Sequence, residues 1–165
     1  MKFGRILAIV ALFASFFSFA HACALCALYT PTAHADIKFN LQGETIKTVA
    51  VTWTFSENFT ELTLQSYDEN ADKALSKNEA WKVQKSLLDY IVPRGYLTSV
   101  GYYDGAGETV NLHTKTLSQR VYLEGGRLNF EYILELNLAV KDGRVVTVEI
   151  FDREGFFNFK ISSPD

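Results

Sequence analysis

Between Leu128 and Val140 every second residue is apolar: Leu128, Phe130, Tyr132, Leu134, Leu136, Leu138 and Val140, with mostly polar residues between them. Side chains point alternately to the two faces of a strand, so this pattern is a strand with one face in a core and the other in water. On a helix the same residues would spread round every side. A strand this long carries two rows of backbone donors and acceptors that need neighbours, so the chain must build a sheet.

The neighbours are legible. Asp36–Gln42 alternates Ile37, Phe39 and Leu41 with Lys38, Asn40 and Gln42. Gly43-Glu44 then turns the chain into Thr45–Phe55, where Val49, Val51, Trp53 and Phe55 fall in register, which predicts a hairpin. Tyr96–Tyr103 runs into Asp104-Gly105, and Val121–Glu124 into Gly125-Gly126. Asp142-Gly143 predicts a second hairpin that joins the long strand to Val145–Phe151, and Phe157, Phe159 and Ile161 close the chain. One segment has helical spacing instead: Trp81, Val83 or Gln84, Leu87 or Leu88, and Ile91 mark a helix over Lys77–Ile91, ended by Pro93 and Gly95. Asn58–Tyr67 is ambiguous, since Phe55, Phe59 and Leu62 fit a helical stripe that the threonines weaken. The fold class read from this is α+β: an antiparallel β-sheet with a helix–acidic loop–helix insertion after the first hairpin. At 165 residues and 48% hydrophobic, the chain suits one domain and is too apolar to be disordered. A net charge of −3 argues against a nucleic-acid partner.

The front of the chain is read as outside this fold. Lys2 and Arg5 precede an uncharged apolar run, Ile6–Phe19, followed by small residues. That is the form of a secretory signal peptide over 1–22, cleaved after Ala20 or Ala22, which leaves a single α+β domain over 23–165. The run is short for a membrane span, although an uncleaved anchor is the alternative. Lipid attachment at Cys23 is disfavoured, because Ala20 stands where a leucine-like residue is usual. No second apolar run is long enough to cross a bilayer. The expectation is a periplasmic protein that is not integral to the membrane after cleavage.

Two clusters carry candidate chemistry. The first is the EF-hand-like loop 68–79. Asp68, Asn70, Asp72, Ser76 and Glu79 stand at loop positions one, three, five, nine and twelve, and Ala74 at seven would offer its carbonyl. Calcium takes six to eight such oxygens. The sixth position, where the chain turns with positive φ, is Lys73 rather than glycine; a side chain there costs about 1–2 kcal/mol and sets an ammonium group near the ion. The competing reading is an Asx-rich turn that caps the next helix.

The second cluster gathers both cysteines and two of the three histidines: His21, Cys23, Cys26 and His34. Thiolates and imidazoles suit nickel, cobalt, zinc or copper, and C-x-x-C spacing can clamp one ion. Pro31 and Thr32 would let the chain double back so that His34 joins. Cleavage after Ala20 would add the new amine of His21. The competing reading is a Cys23–Cys26 disulfide in an oxidising compartment. His113 stands alone near a turn and is expected to face solvent.

With these residues in view, the chain resembles a bacterial exported family of unknown function, described as the periplasmic component of an uncharacterised metal-type transport system and often encoded beside nickel/cobalt-type permeases. The resemblance rests on His34, Trp53-Thr54-Phe55, Tyr67-Asp68, Leu75-Ser76, Glu79, Gly95-Tyr96, Phe151-Asp152 and Phe156-Phe157. It implies a periplasmic binding component for a divalent transition metal, with a membrane metal permease as partner. It also implies that His34-Ala-Asp36 stands where the family carries His-x-His, which adds Asp36 as a harder ligand, and that Lys73 replaces the family's loop glycine. The alternative is a non-catalytic structural or interaction domain stabilised by calcium at 68–79 and by the disulfide. No nucleophile triad, phosphate-binding glycine loop or His-Glu-x-x-His motif is present, so the sequence is not read as an enzyme.

Overall fold

The long alternating strand lies next to the centre of a five-stranded sheet. In the computed structural model, which describes residues 30–105, 107 and 109–161, the strands are β1 (Thr32–Gln42), β2 (Thr45–Phe55), β3 (Thr98–Tyr103), β4 (Val110–Asn111), β5 (Lys115–Glu124), β6 (Arg127–Ala139), β7 (Val145–Ile150) and β8 (Asn158–Ile161). Two helices, α1 (Glu57–Tyr67) and α2 (Lys77–Ile91), and a 3-10 segment (Val92–Leu97) lie between β2 and β3. The fold is α+β, with the helix–acidic loop–helix insertion directly after the β1–β2 hairpin. The signal-peptide boundaries and the residues His21, Cys23 and Cys26 lie outside the described residues.

The larger sheet has the order β5-β6-β2-β1-β8 and the smaller one β4-β3-β7. Two sheets therefore replace the one expected. The Asp142-Gly143 turn forms, with Gly143 at φ +75°, but it does not close a hairpin. It carries the chain from β6 to the other sheet, where β7 pairs antiparallel with β3 through Thr98↔Ile150 to Tyr103↔Val145. The chain's end also departs from an all-antiparallel sheet, because β8 pairs parallel with β1, Thr32↔Asn158 to Ala35↔Ile161.

Period two decides what the sheet buries. Val49, Val51, Trp53 and Phe55 of β2 are fully buried, as are Leu128, Phe130 and Tyr132 of β6. Trp53 is the hub: Phe130 and Tyr132 approach it edge-on at 5.4 and 5.6 Å, and Phe159 lies at 4.7 Å. Pairs of this kind add about 0.5–1.5 kcal/mol each beyond area burial.

The helices cover this core. Val83, Leu87 and Ile91 of α2 are buried at four-residue steps, in line with Glu79. Trp81, expected on that stripe, instead stands 58% exposed on the other side of the helix. The ambiguous segment is helical because its threonines are satisfied. Thr60 and Thr63 donate to the carbonyls of Ser56 and Phe59, and Thr60 Oγ1 also accepts the Leu128 N–H at 3.0 Å. That last bond ties α1 to the start of β6.

Candidate functional site

β1 begins at Thr32, so His34 lies within the strand; the path of the chain before Thr30, on which any reversal at Pro31 depends, lies outside the described residues. Ala33 and Ala35 are fully buried on the core face. His34 and Asp36, one step out of phase with them, are therefore presented together on the outer face, and both are exposed. His34 is flanked by Thr54 of β2 and Lys160 of β8, and Asp36 by Thr52. Lys38 Nζ lies 3.2 Å from an Asp36 carboxylate oxygen. Beside His34 an open depression of about 340 Å³ is bounded by Glu57, Arg127 and Lys160. Arg127 is committed there, donating to the Phe55 carbonyl at 3.0 Å and lying 3.2 Å from Glu57.

Two residues apart, this imidazole and carboxylate share one strand face. A tetrahedral centre uses four ligands, so this pair alone would be half of one. The other candidate ligands, His21, Cys23 and Cys26, lie outside the described residues. Arg127 and Lys160 had no signal in the linear sequence, because only strand register brings them beside His34.

The acidic loop is shaped by backbone–carboxylate bonds. Asp68 accepts the N–H groups of Asp72 (3.3 Å) and Lys73 (2.8 Å) on its two oxygens. Asn70 Oδ1 accepts the Asp72 N–H, and Asp72 Oδ1 accepts the Ala74 N–H. Lys73 has φ +61° and Ala71 φ +57°, so the sixth position takes the left-handed turn despite its side chain. Ser76 caps α2 in a capping box: its Oγ accepts the Glu79 N–H, while the Glu79 carboxylate accepts the N–H groups of Ser76 (2.7 Å) and Glu69 (2.9 Å). The Ser76 side chain first, then the N–H groups of Glu69 and Ser76, hold the Glu79 carboxyl below its ordinary range. Both alternatives read from the sequence thus share one geometry: the capping turn is present, and the oxygen-bearing residues keep calcium-loop order around it. The loop carboxylates do not converge on a common point; among the described residues, no three His, Cys, Asp or Glu side chains come together as a metal-holding group.

A third polar cluster, with no site motif in the linear sequence, centres on Asp152. Asp152, 4% exposed, accepts the Tyr90 hydroxyl and the N–H groups of Glu154 (3.0 Å) and Phe157 (2.8 Å). Burial pushes its carboxyl up, but these bonds outweigh burial and leave it below the usual range. Tyr90 is pushed up to about 12 by burial and by Asp152. Arg94 lies 4.0 Å over the Tyr90 ring and forks onto Glu154. The Phe151-Asp152 and Phe156-Phe157 pairs thus bracket a buried carboxylate that folds the turn before β8. His113 is exposed, as expected.

Among the described residues no helix is long and apolar enough to cross a membrane. The family model described as a protein of unknown function (DUF1007) matches residues 13–165. No curated protein and no solved structure matches the chain.

Proposed function

For this chain, which belongs to the DUF1007 family of unknown function, we propose a role as a periplasmic metal-binding accessory component of a divalent transition-metal transport system. The cargo is nickel or cobalt, with zinc and copper as the other candidates. The observation that carries this reading is the pairing of His34 and Asp36 on the exposed face of β1, backed by the fully buried Ala33 and Ala35. His21, Cys23 and Cys26, a few residues upstream in the sequence, supply the softer donors, and the sheet holds the pair rigidly. Neutral imidazole and deprotonated thiol are the binding forms, so capture weakens as pH falls and protons compete. A membrane metal permease receives the ion.

The test is elemental analysis of the exported protein, with its N-terminus sequenced, beside His34→Ala and Cys23→Ser/Cys26→Ser variants. Loss of bound transition metal in both variants supports the reading. Equal metal content in all three proteins refutes it.

A second reading has its own support: a non-catalytic domain stabilised by calcium at 68–79 and by a Cys23–Cys26 disulfide. Lys73 accepts the left-handed conformation that a calcium loop needs at its sixth position, and α1 and α2 flank the loop on both sides. Here calcium raises the melting temperature and Asp68→Ala removes that rise. Absence of any rise in the parent protein rules this reading out.

A further inference from the structure

β8 covers only the first part of β1. Its pairing runs from Thr32 to Ala35 and stops, while β1 continues to Gln42, bonded to β2 on the other side throughout. Among the described residues, the outer edge of Asp36–Gln42 therefore has no strand beside it. Such an edge presents a row of free N–H and C=O groups and is a template for another strand. Proteins usually blunt a free edge by a bulge, and the far edge of this sheet follows that rule, with a register break in β5 between Thr116 and Ser118. The irregularity beside β1 comes from the extra residue Lys47 in β2, and none of Asp36–Gln42 has positive φ, so the free edge of β1 stays regular.

Two apolar side chains of the same stretch are left exposed. Phe39 and Leu41 share the face of Ala33 and Ala35, yet stand 39% and 55% exposed. The other regular edge, β7, differs: Ile150 is buried and Val146 and Val148 already pack against the core.

We propose that this edge pairs with the same edge of a second copy, antiparallel, about a two-fold axis at Phe39. The free stretch is symmetric about that residue. Phe39 then faces Phe39 of the other copy, and Ile37 faces Leu41, so the apolar faces of the two sheets are continuous. Lys38 faces Asn40 and Asp36 faces Gln42, so no like charges stand directly opposite, which would oppose pairing. Every residue from Asp36 to Gln42 gains a partner strand, and β8 stays on Thr32–Ala35 in each copy. Homodimers about a two-fold axis use one self-complementary patch twice, and strand addition takes its affinity from main-chain bonds.

The register gives a specific test. Sedimentation analysis of the exported chain over a dilution series is expected to show a monomer–dimer equilibrium. Phe39→Lys sets two ammonium groups face to face and is expected to sediment as monomer throughout, with a melting temperature close to that of the parent monomer. Phe39→Glu behaves alike on its own. An equal mixture of the two restores the dimer, with one copy of each, because lysine then faces glutamate. A parent chain that is monomeric at every concentration overturns the proposal, as does a Phe39→Lys chain that dimerises like the parent. A mixture that fails to pair also overturns it. A parent chain that dimerises only after residues 162–165 are removed assigns the edge to the chain's own end and rejects the second copy as its natural occupant.

Discussion

Replacing Lys73 with glycine tests the loop geometry quantitatively. Lys73 has φ +61° and its side chain is exposed, with its backbone N–H held by Asp68 at 2.8 Å. The left-handed conformation is thus imposed by the loop and not by any contact of the side chain. Removing the β-carbon relieves about 1–2 kcal/mol. Glycine gives back part of this through the greater freedom of the unfolded chain, about 0.4–1 kcal/mol. The net expectation is a protein more stable by about 0.5–1 kcal/mol, or a melting temperature about 1–4 °C higher for a domain of this size. Circular dichroism melts in chelator measure this backbone effect without calcium, together with the loss of the Lys73 charge. Ala71→Gly, at φ +57°, is the comparator, since it has the same backbone relief and leaves the Lys73 charge in place. In calcium, Lys73→Gly should gain more than Ala71→Gly, because only the former removes an ammonium group from the loop. A Lys73→Gly protein no more stable than the parent in chelator refutes the strain argument. A melting temperature indifferent to calcium in both variants refutes the calcium reading.

Other perturbations have defined outcomes. Asp152→Ala strands the Phe157 N–H and the Tyr90 hydroxyl, and at about 1–3 kcal/mol for each buried group left unpaired it should cost about 3 kcal/mol or more in a denaturant titration. Thr60→Val keeps the side-chain shape but removes the acceptor of the Leu128 N–H, and the same titration should show a loss of about 1–3 kcal/mol. The carboxyls of Glu79 and Asp152 both lie below their ordinary range, so the stability each contributes is complete above the unfolded carboxylate range and is lost as pH falls through the lower folded values. Melting temperature should hold level down to about pH 5 and fall below it, and Asp152→Asn should flatten part of that fall.

Much of the fold was legible because the period of the apolar pattern has few solutions. The β2 and α2 boundaries follow directly from Thr45–Phe55 and Lys77–Ile91. What failed was pairing. Asp142-Gly143 is a hairpin sequence, yet its strands diverge into two sheets, because β3 claims β7 through contacts no local pattern encodes. Trp81 misled because a large apolar residue need not face inward; the buried line passes through Glu79, whose carboxylate is occupied by backbone N–H groups. The threonines of α1 lowered its helical propensity on paper, and in the fold their hydroxyls bond the preceding turn. At the site, strand alternation suffices to put His34 and Asp36 on one face, but β1 begins at Thr32, four residues before its polar and apolar residues start to alternate clearly. Asp152, between Phe151 and Arg153, carries no site motif in the sequence; its burial follows from the aromatic packing around Phe157.

In the proposed function the outer face of β1 captures a transition metal. Competition titration of nickel(II) against a chelator of known affinity, on the exported protein and on His34→Ala, tests it directly. Loss of one ligand should weaken binding by tenfold or more, about 1.4 kcal/mol or greater, with thermal stability unchanged because the His34 side chain is exposed. Identical nickel affinity in the two proteins contradicts the account.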